Sequence, residues 1–311
     1  MDRRLTSVAG ALIVTLLIFL GMVYVGGNML GIASLQTGEN PVLRFAFVII
    51  GLLIVFAIYY LTRENAAWNV GTREVVYMSI GAALYAIFSW LFNGTVFVVP
   101  SISQVALRPA ICIPMFFGYA FGPVVGFFSG AVGNMVGDAL TGFGLSPQWS
   151  VGNGLVGFVS GLAMLFPDKR KSLNTLLIAG GVLVALAVLL YILNPSIPNM
   201  LFFDPENNIF GDAQISVVAG ISIVVGFVLV LAVRFLVKNE DVAAAVAWAM
   251  LGNLLGIGFA AISDIWINGL SLPATMVGQF LPAAGPNLIF AAILVPLLIL
   301  AYSAVQRQTG R

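Results

Sequence analysis

Ten stretches of this chain are so long, so apolar and so poor in charge that a water-soluble fold could not hold them all. They run at about 8–27, 45–62, 75–92, 103–120, 122–141, 150–166, 173–193, 214–237, 242–266 and 279–303. A helix needs about 20 mostly apolar residues to cross a bilayer. Closed hydrogen bonding is what lets a backbone sit in hydrocarbon, so such runs read as helices. Only 8% of the 311 residues are charged and mean hydropathy is +1.07. An ordinary soluble domain carries about 25% charged residues. A net charge of +1 leaves no basic face for nucleic acid. The sequence therefore predicts an all-α polytopic membrane protein with about ten transmembrane helices. The fourth to sixth runs are short and rich in Gly and Pro.

Arg3 and Arg4 precede the first run, as in a signal peptide. Its apolar core is long for one and no small-x-small cleavage site follows, so it reads as a retained helix. With the N-terminus inside, ten spans put Arg3, Arg4, Arg63, Arg73, Lys169, Arg170, Lys171, Arg234, Lys238, Arg307 and Arg311 on the cytoplasmic side. Only Arg44 and Arg108 fall outside. That asymmetry predicts a multi-pass plasma-membrane protein with both termini cytoplasmic.

The polar break at 63–74 sets off an N-terminal hairpin, residues 1–66, from a second unit, 67–311. The hairpin's spans carry no charge, and it reads as an anchor or packing element without chemistry. A bland hairpin at about 173–237 is inserted in the second unit. Its outer loop, 194–213, holds Asn194, Pro195, Pro198 and Pro205, which suggests an ordered, turn-rich connection. Gly133-Asn134-Met135-Val136-Gly137 resembles Gly252-Asn253-Leu254-Leu255-Gly256, an echo within chance for a Gly-rich membrane protein.

Several chemistries are absent. There is no phosphate-cradling G-x-x-x-x-G-K-[ST] motif and there are only three lysines, so this chain does not hydrolyse ATP by that route. With no His and the single Cys112, neither a His/Cys metal site nor an intramolecular disulfide is possible. No cofactor and no enzymatic activity are expected. The polar residues at membrane depth gather toward the outer side instead. They are Arg108, Asp138 and Asp264, with Asn93, Gln104, Trp149, Asn153, Asn268 and Gln279. A charge in a span is costly, so it faces a cavity or a partner. Three readings fit: an outward-open substrate pocket, acidic residues wetted by headgroups, or a structural Arg108–Asp138 pair. Asn134 lies one turn deeper than Asp138 on the same helix face. Trp149 reads equally as an interfacial belt residue or as a stacking platform. Ala82 with Ala86, and Ser79 with Ala83, are small-residue pairs that let a helix pack closely.

Residues 73–166 resemble the substrate-binding (S) components of energy-coupling factor (ECF) transporters, which import vitamins and related micronutrients. The resemblance is carried by Arg73-Glu74 before the Ala82/Ala86 helix, Arg108-Pro109-Ala110 with Ile113-Pro114, and Phe121-Gly122-Pro123-Val124-Val125-Gly126. It continues in Gly130, Gly133-Asn134 and Gly137-Asp138, then Trp149 with Gly152-Asn153-Gly154-Leu155-Val156-Gly157 and Gly161-Leu162. The last span, from Gly285-Pro286-Asn287 to Val295-Pro296-Leu297, is also similar to that family's final helix.

The resemblance implies a six-helix core, placed at spans three to six plus nine and ten. It implies that Ala82 and Ala86 face a transmembrane coupling protein. It also implies a ligand site near the outer face, where Arg108, Asp138, Trp149 and Asn153 fall; Gln104, Asn134 and Asp264 join them as candidates by their depth. The partners would be a small-molecule substrate, the coupling protein, two ABC-type ATPase subunits and membrane lipid. Capture outside would be followed by docking and toppling, driven by ATP hydrolysis elsewhere. The alternatives are a stand-alone secondary carrier, which needs a coupling-ion site at mid-depth, and a membrane enzyme, for which only Asp138 and Asp264 on distant spans are available. One Arg with two acidic residues suits a zwitterion or a partly cationic heterocycle.

Overall fold

The computed structural model describes residues 3–93, 107–142, 144–166, 168–194, 203–204, 209–210 and 217–309. Among them, seven helices are long and apolar enough to cross a membrane, and two shorter apolar ones accompany them. Helix α1 (Arg3–Leu20) continues through a π-helical stretch, Gly21–Met29, and α2 (Pro41–Thr62) returns. Then come α3 (Thr72–Asn93), α4 (Cys112–Phe121), α5 (Pro123–Thr141) and α6 (Pro147–Gly161). The chain continues with α7 (Lys169–Leu193), α8 (Val217–Leu236) and α9 (Glu240–Ile267). The last rod is α10 (Leu272–Thr275), a π-helical turn at Met276–Phe280 and α11 (Leu281–Gln308). These are ten rods for the ten apolar runs, and the protein is an all-α polytopic membrane protein. Between α7 and α8 a two-residue pairing joins β1 (Phe203–Asp204) to β2 (Ile209–Phe210). Asn194 ends α7 by donating its Nδ2 to the Leu190 carbonyl at 2.8 Å, and the rest of the proposed turn-rich loop lies outside the described residues.

The rods alternate in direction. Arg4 donates to Asn69 Oδ1 and to the Arg63 and Glu64 carbonyls, and a cavity beside Asn69 is also lined by Tyr302 and Gln306. The N- and C-terminal ends therefore share one face, here the terminal face. On the opposite, far face, the turn after α1 meets the turn after α5: the Leu145 amide donates to the Gln36 carbonyl at 2.8 Å.

Helix α6 is the axis of the fold. It has fifteen residues, about 22 Å of rise, and is buried nearly along its whole length. Glycines on both of its flanks make that possible. Toward α5 and α4, a Cβ at Gly126 would collide with the Gly157 carbonyl, and one at Gly130 with the Asn153 carbonyl. Toward α9, a Cβ at Gly152 would stand 2.6 Å from Ala260 Cβ, and one at Gly256 2.6 Å from the Val156 amide. Without a hydrophobic drive between helices in lipid, such backbone approach supplies the packing contacts that associate them. α4 and α5 are joined by the single residue Gly122, whose φ of 112° is reserved for glycine.

The echoed glycine motifs share a role. Gly133 and Gly137 receive Ala82, Tyr85, Ala86 and Ser89 of α3, while Gly252 and Gly256 receive Val156 and Gly152 of α6. The sequence boundaries needed three corrections. The fourth rod starts at Pro109, with 107–108 outside any helix, rather than at 103, so Arg108 precedes the helix. α2 begins at Pro41, not 45, so Arg44 lies inside it; Pro at the first turn sets the helical φ without losing a bonded N–H. The last rod begins at Leu272, not 279, because Ser271 caps the Ala274 amide.

Replacing Gly126 with alanine should lower thermal stability by about 1–3 kcal/mol or more through overpacking. Gly10→Ala, where nothing lies within 4 Å, should be neutral or raise it by about 0.5–1 kcal/mol. Thermal unfolding in detergent reads both.

Candidate functional site

The first turns of α6 lie at the far face and separate two polar clusters. Pro147 starts the helix, Gln148 and Trp149 turn toward α9, and Ser150 turns toward α5. On the α5 side, Arg108 enters just before a 3-10 turn at Pro109–Ile111. Its Nη2 lies 2.6 Å from Asp138 Oδ1, and its Nη1 donates to Asn134 Oδ1 at 2.7 Å. Asn134 Nδ2 donates to Asp138 Oδ2 at 2.8 Å and to Ser150 Oγ at 3.0 Å. Tyr85 OH donates to Asn153 Oδ1 at 3.0 Å, and Asn153 Nδ2 donates to the Trp149 carbonyl at 2.9 Å. Asn134, Asp138, Ser150, Asn153 and Tyr85 are buried, while the Arg108 side chain keeps 20% exposure. Asn134 sits about 10 Å below the end of α5. A buried charge-assisted network of this kind fixes donors and acceptors in direction as well as place.

On the α9 side, Trp149 Nε1 donates to Asp264 Oδ2 at 2.9 Å and Gln148 Nε2 to Asp264 Oδ1 at 3.2 Å. Gln279, in the π-helical turn, faces the same carboxylate. The N-terminal hairpin closes this side. Asn40 Nδ2 donates to the Ile267 carbonyl at 2.8 Å, and Arg44 Nη2 to Asn268 Oδ1 at 3.4 Å. Arg44 is buried, and its Nε donates to the Glu39 carbonyl at 2.8 Å. The hairpin thus carries polar chemistry that the sequence reading withheld from it.

The structure therefore brings Arg108, Asn134, Asp138 and Asn153 into one network and puts Asp264 with Trp149 in another. Gln104 lies outside the described residues, as does the side chain of Asn93. Tyr85, Gln148, Ser150 and Arg44 were missed. A tyrosine in mid-span and polar residues in a helix's first turn were the signals for the first three. Ala82 and Ala86 need a correction as a partner surface. They are buried, because Gly133 and Gly137 of α5 admit them to the interior. The small-residue pair left on the open face of α3 is Ser79 with Ala83, flanked by Val76, Ile80 and Ile87. A third polar group, Asn253 with Asn287, ties α9 to α11: Asn287 Nδ2 donates to Asn253 Oδ1 at 3.0 Å, and Asn253 Nδ2 to the Ala284 carbonyl at 2.9 Å.

Residues 69–235 match the family described as "ECF-type riboflavin transporter, S component". The chain belongs to that family. S components are substrate-binding transporter subunits, which agrees with polar groups gathered inside an apolar bundle. A UPF0397 protein of Vibrio atlanticus is 33% identical over 170 residues, covering 52% of this chain and 90% of that protein. UPF0397 proteins of Aliivibrio salmonicida and Aliivibrio fischeri are each 34% identical over 102 residues, covering 33% of this chain and 54% of theirs. No solved structure matches. The matched segment of this S component begins just before α3 and ends in α8, so the N-terminal hairpin lies outside it.

Arg108→Met should destabilise the protein by about 3–5 kcal/mol by leaving Asp138 without its ion-pair partner. The double variant Arg108→Met/Asp138→Leu should recover most of that loss. A double-mutant cycle of thermal unfolding measures the coupling.

Proposed function

We propose that this S component is the substrate-capture subunit of an ATP-driven importer for a vitamin or related micronutrient, with its far face outward. The observation that carries this reading is the family match combined with the position of the polar network. Arg108, Asn134, Asp138 and Asn153 meet at the far end of α5 and α6, while the lateral faces of α1, α2 and α7 are apolar. Transmembrane charge bias favours the same orientation, with both termini cytoplasmic and the chain in the plasma membrane. The ligand takes its polar contacts from this network and its aromatic contact from half-buried Trp149. Riboflavin, named by the matching family, is the first probe to use.

In this reading residues 67–311 form the S-component unit. Its core is α3–α6 with α9 and α11, because α9 lies along α6 through Gly152 and Gly256, and Asn287 of α11 bonds to α9. α7 and α8 pack on the outside of that core, through Gly180 against Met250 and Gly226 against Leu288. The Ser79/Ala83 face of α3 docks on a transmembrane coupling protein that carries two ABC-type ATPases. This chain supplies ligand capture, and the ATPases supply the energy.

A pull-down of the tagged protein in mild detergent, read by mass spectrometry, tests the assembly. Two ABC-type ATPases and a polytopic coupling protein should be recovered with wild type and lost with Ser79→Leu, which adds bulk only to an exposed face. Recovery of neither, with those genes expressed, would move a stand-alone carrier to the front.

A further inference from the structure

The terminal face, opposite the polar network, carries a trough of its own. Two cavities lie there, of about 390 and 480 Å³, and they meet at Asn69 and Glu74. The first sits where α3, α4 and α11 come together. Tyr77 of α3 stacks on Phe121 of α4 with ring centroids 4.0 Å apart, and Tyr302 of α11 stands edge-on to Phe121 at 5.3 Å. These rings wall the first cavity, with Arg73 and Gln306 beside them. Arg3 and Arg4 of α1 line the second.

Charge in this trough is one-sided. Among the described residues, Arg3, Arg4 and Arg73 line it against one carboxylate, Glu74. Glu74 is already satisfied: its Oε1 accepts from Arg73 Nε at 2.9 Å and its Oε2 from the Gly71 amide at 2.8 Å. Arg4 is held by Asn69 and by the Arg63 and Glu64 carbonyls, which leave its charge uncompensated. Arg73 gives only its Nε to Glu74. Its Nη1 and Nη2 have no protein acceptor among the described residues, and its side chain is 76% exposed. A guanidinium fork of this kind matches the oxygens of a phosphate. Apolar surface adjoins the trough: Leu300 and Leu297 of α11 are exposed and lead from Tyr302 toward the middle of the membrane. Tyrosines near helix ends sit at the level of lipid headgroups.

We propose that this trough seats the phosphate of an anionic phospholipid, whose chains run down beside α11. The phosphate takes the uncommitted nitrogens of Arg73, the rings of Tyr77 and Tyr302 wall the glycerol, and Arg3 and Arg4 supply further positive charge. Three guanidiniums against one satisfied carboxylate favour a lipid of net negative charge. A zwitterionic headgroup would bring its own cation against the arginines. Basic pockets between membrane helices recognise anionic headgroups in this way. A free phosphate ion would use the same nitrogens but would leave the apolar flank on α11 unused. Arg3, Arg4 and Tyr302 lie outside the segment matched to the family, so the site belongs to the whole chain, with its N-terminal hairpin and last rod. It does not rest on the capture reading, because neither the solute nor the far face takes part.

Native mass spectrometry of the purified full-length protein, titrated in detergent with dioleoyl phosphatidylglycerol or dioleoyl phosphatidylcholine, tests this. Phosphatidylglycerol should bind in a saturable first step that is about fivefold weaker in Arg73→Gln. The step should be unchanged in Lys238→Gln, which removes an exposed charge just past the terminal end of α8, outside the trough. Phosphatidylcholine should bind more weakly than phosphatidylglycerol, and equally to all three proteins. Arg73 is exposed, so its replacement should leave the fold intact; if it does not, Arg3→Gln serves, with the same direction of change. Equal phosphatidylglycerol binding by wild type and Arg73→Gln, an equal loss in Lys238→Gln, or phosphatidylcholine binding as tight as phosphatidylglycerol would overturn the proposal. So would displacement of the lipid by equimolar glycerol 3-phosphate, which would assign the trough to a soluble phosphate. Riboflavin binding and the partner pull-down are read separately, so the capture reading stands or falls on its own.

Discussion

Everything in this fold depends on how closely backbones can approach α6. A fifteen-residue helix cannot span hydrocarbon alone, and α6 does not face lipid. It is enclosed by α4, α5, α9 and α2, and glycines make each approach short. Gly126, Gly130, Gly154 and Gly157 serve the α5 side, Gly152, Gly252 and Gly256 the α9 side, and Gly51 lets α2 rest on Val151. Because protein rather than lipid surrounds it, α6 can carry Gln148, Ser150, Asn153 and Ser160 without exposing them to hydrocarbon. The packing that makes α6 possible is thus also what makes a polar site inside the bundle possible.

The two polar clusters follow from that geometry. Residues around one helix face different neighbours, so the first two turns of α6 serve α5 and α3 with Ser150 and Asn153, and α9 with Gln148 and Trp149. One cluster is internally neutral through Arg108 and Asp138. The other keeps its carboxylate apart from its nearest cation. The N-terminal hairpin contributes to the second cluster although it lies outside the family match, so it is part of the far-face architecture as well as a membrane anchor.

Much of this was legible in the sequence. Apolar runs located the rods because hydropathy and length decide what can cross a bilayer. That Arg108 and Asp138 would need partners was legible, because charge in a span demands one. Three things were not. Two small-residue pairs on α3 look alike in sequence, and only the opposing Gly133 and Gly137 determine that Ala82/Ala86 turns inward and Ser79/Ala83 outward. Arg44 seemed to lie outside the helix because apolar patterning cannot see a helix that starts at Pro41, three residues before it. The π-turn that carries Gln279 was not read from the sequence. The family match, too, covers α3–α8, whereas α6 is packed by α9 rather than α7, a pairing distant in sequence.

The most direct test of a far-face solute site on α6 is native mass spectrometry of the purified protein with riboflavin and related vitamins, comparing wild type with Asn153→Leu. Asn153 joins Tyr85 to the first turn of α6 without belonging to the ion pair. A small-molecule adduct on wild type that is lost from the folded variant is the expected result. An adduct of equal occupancy on both, or none on wild type with any vitamin offered, would contradict a solute site at this network.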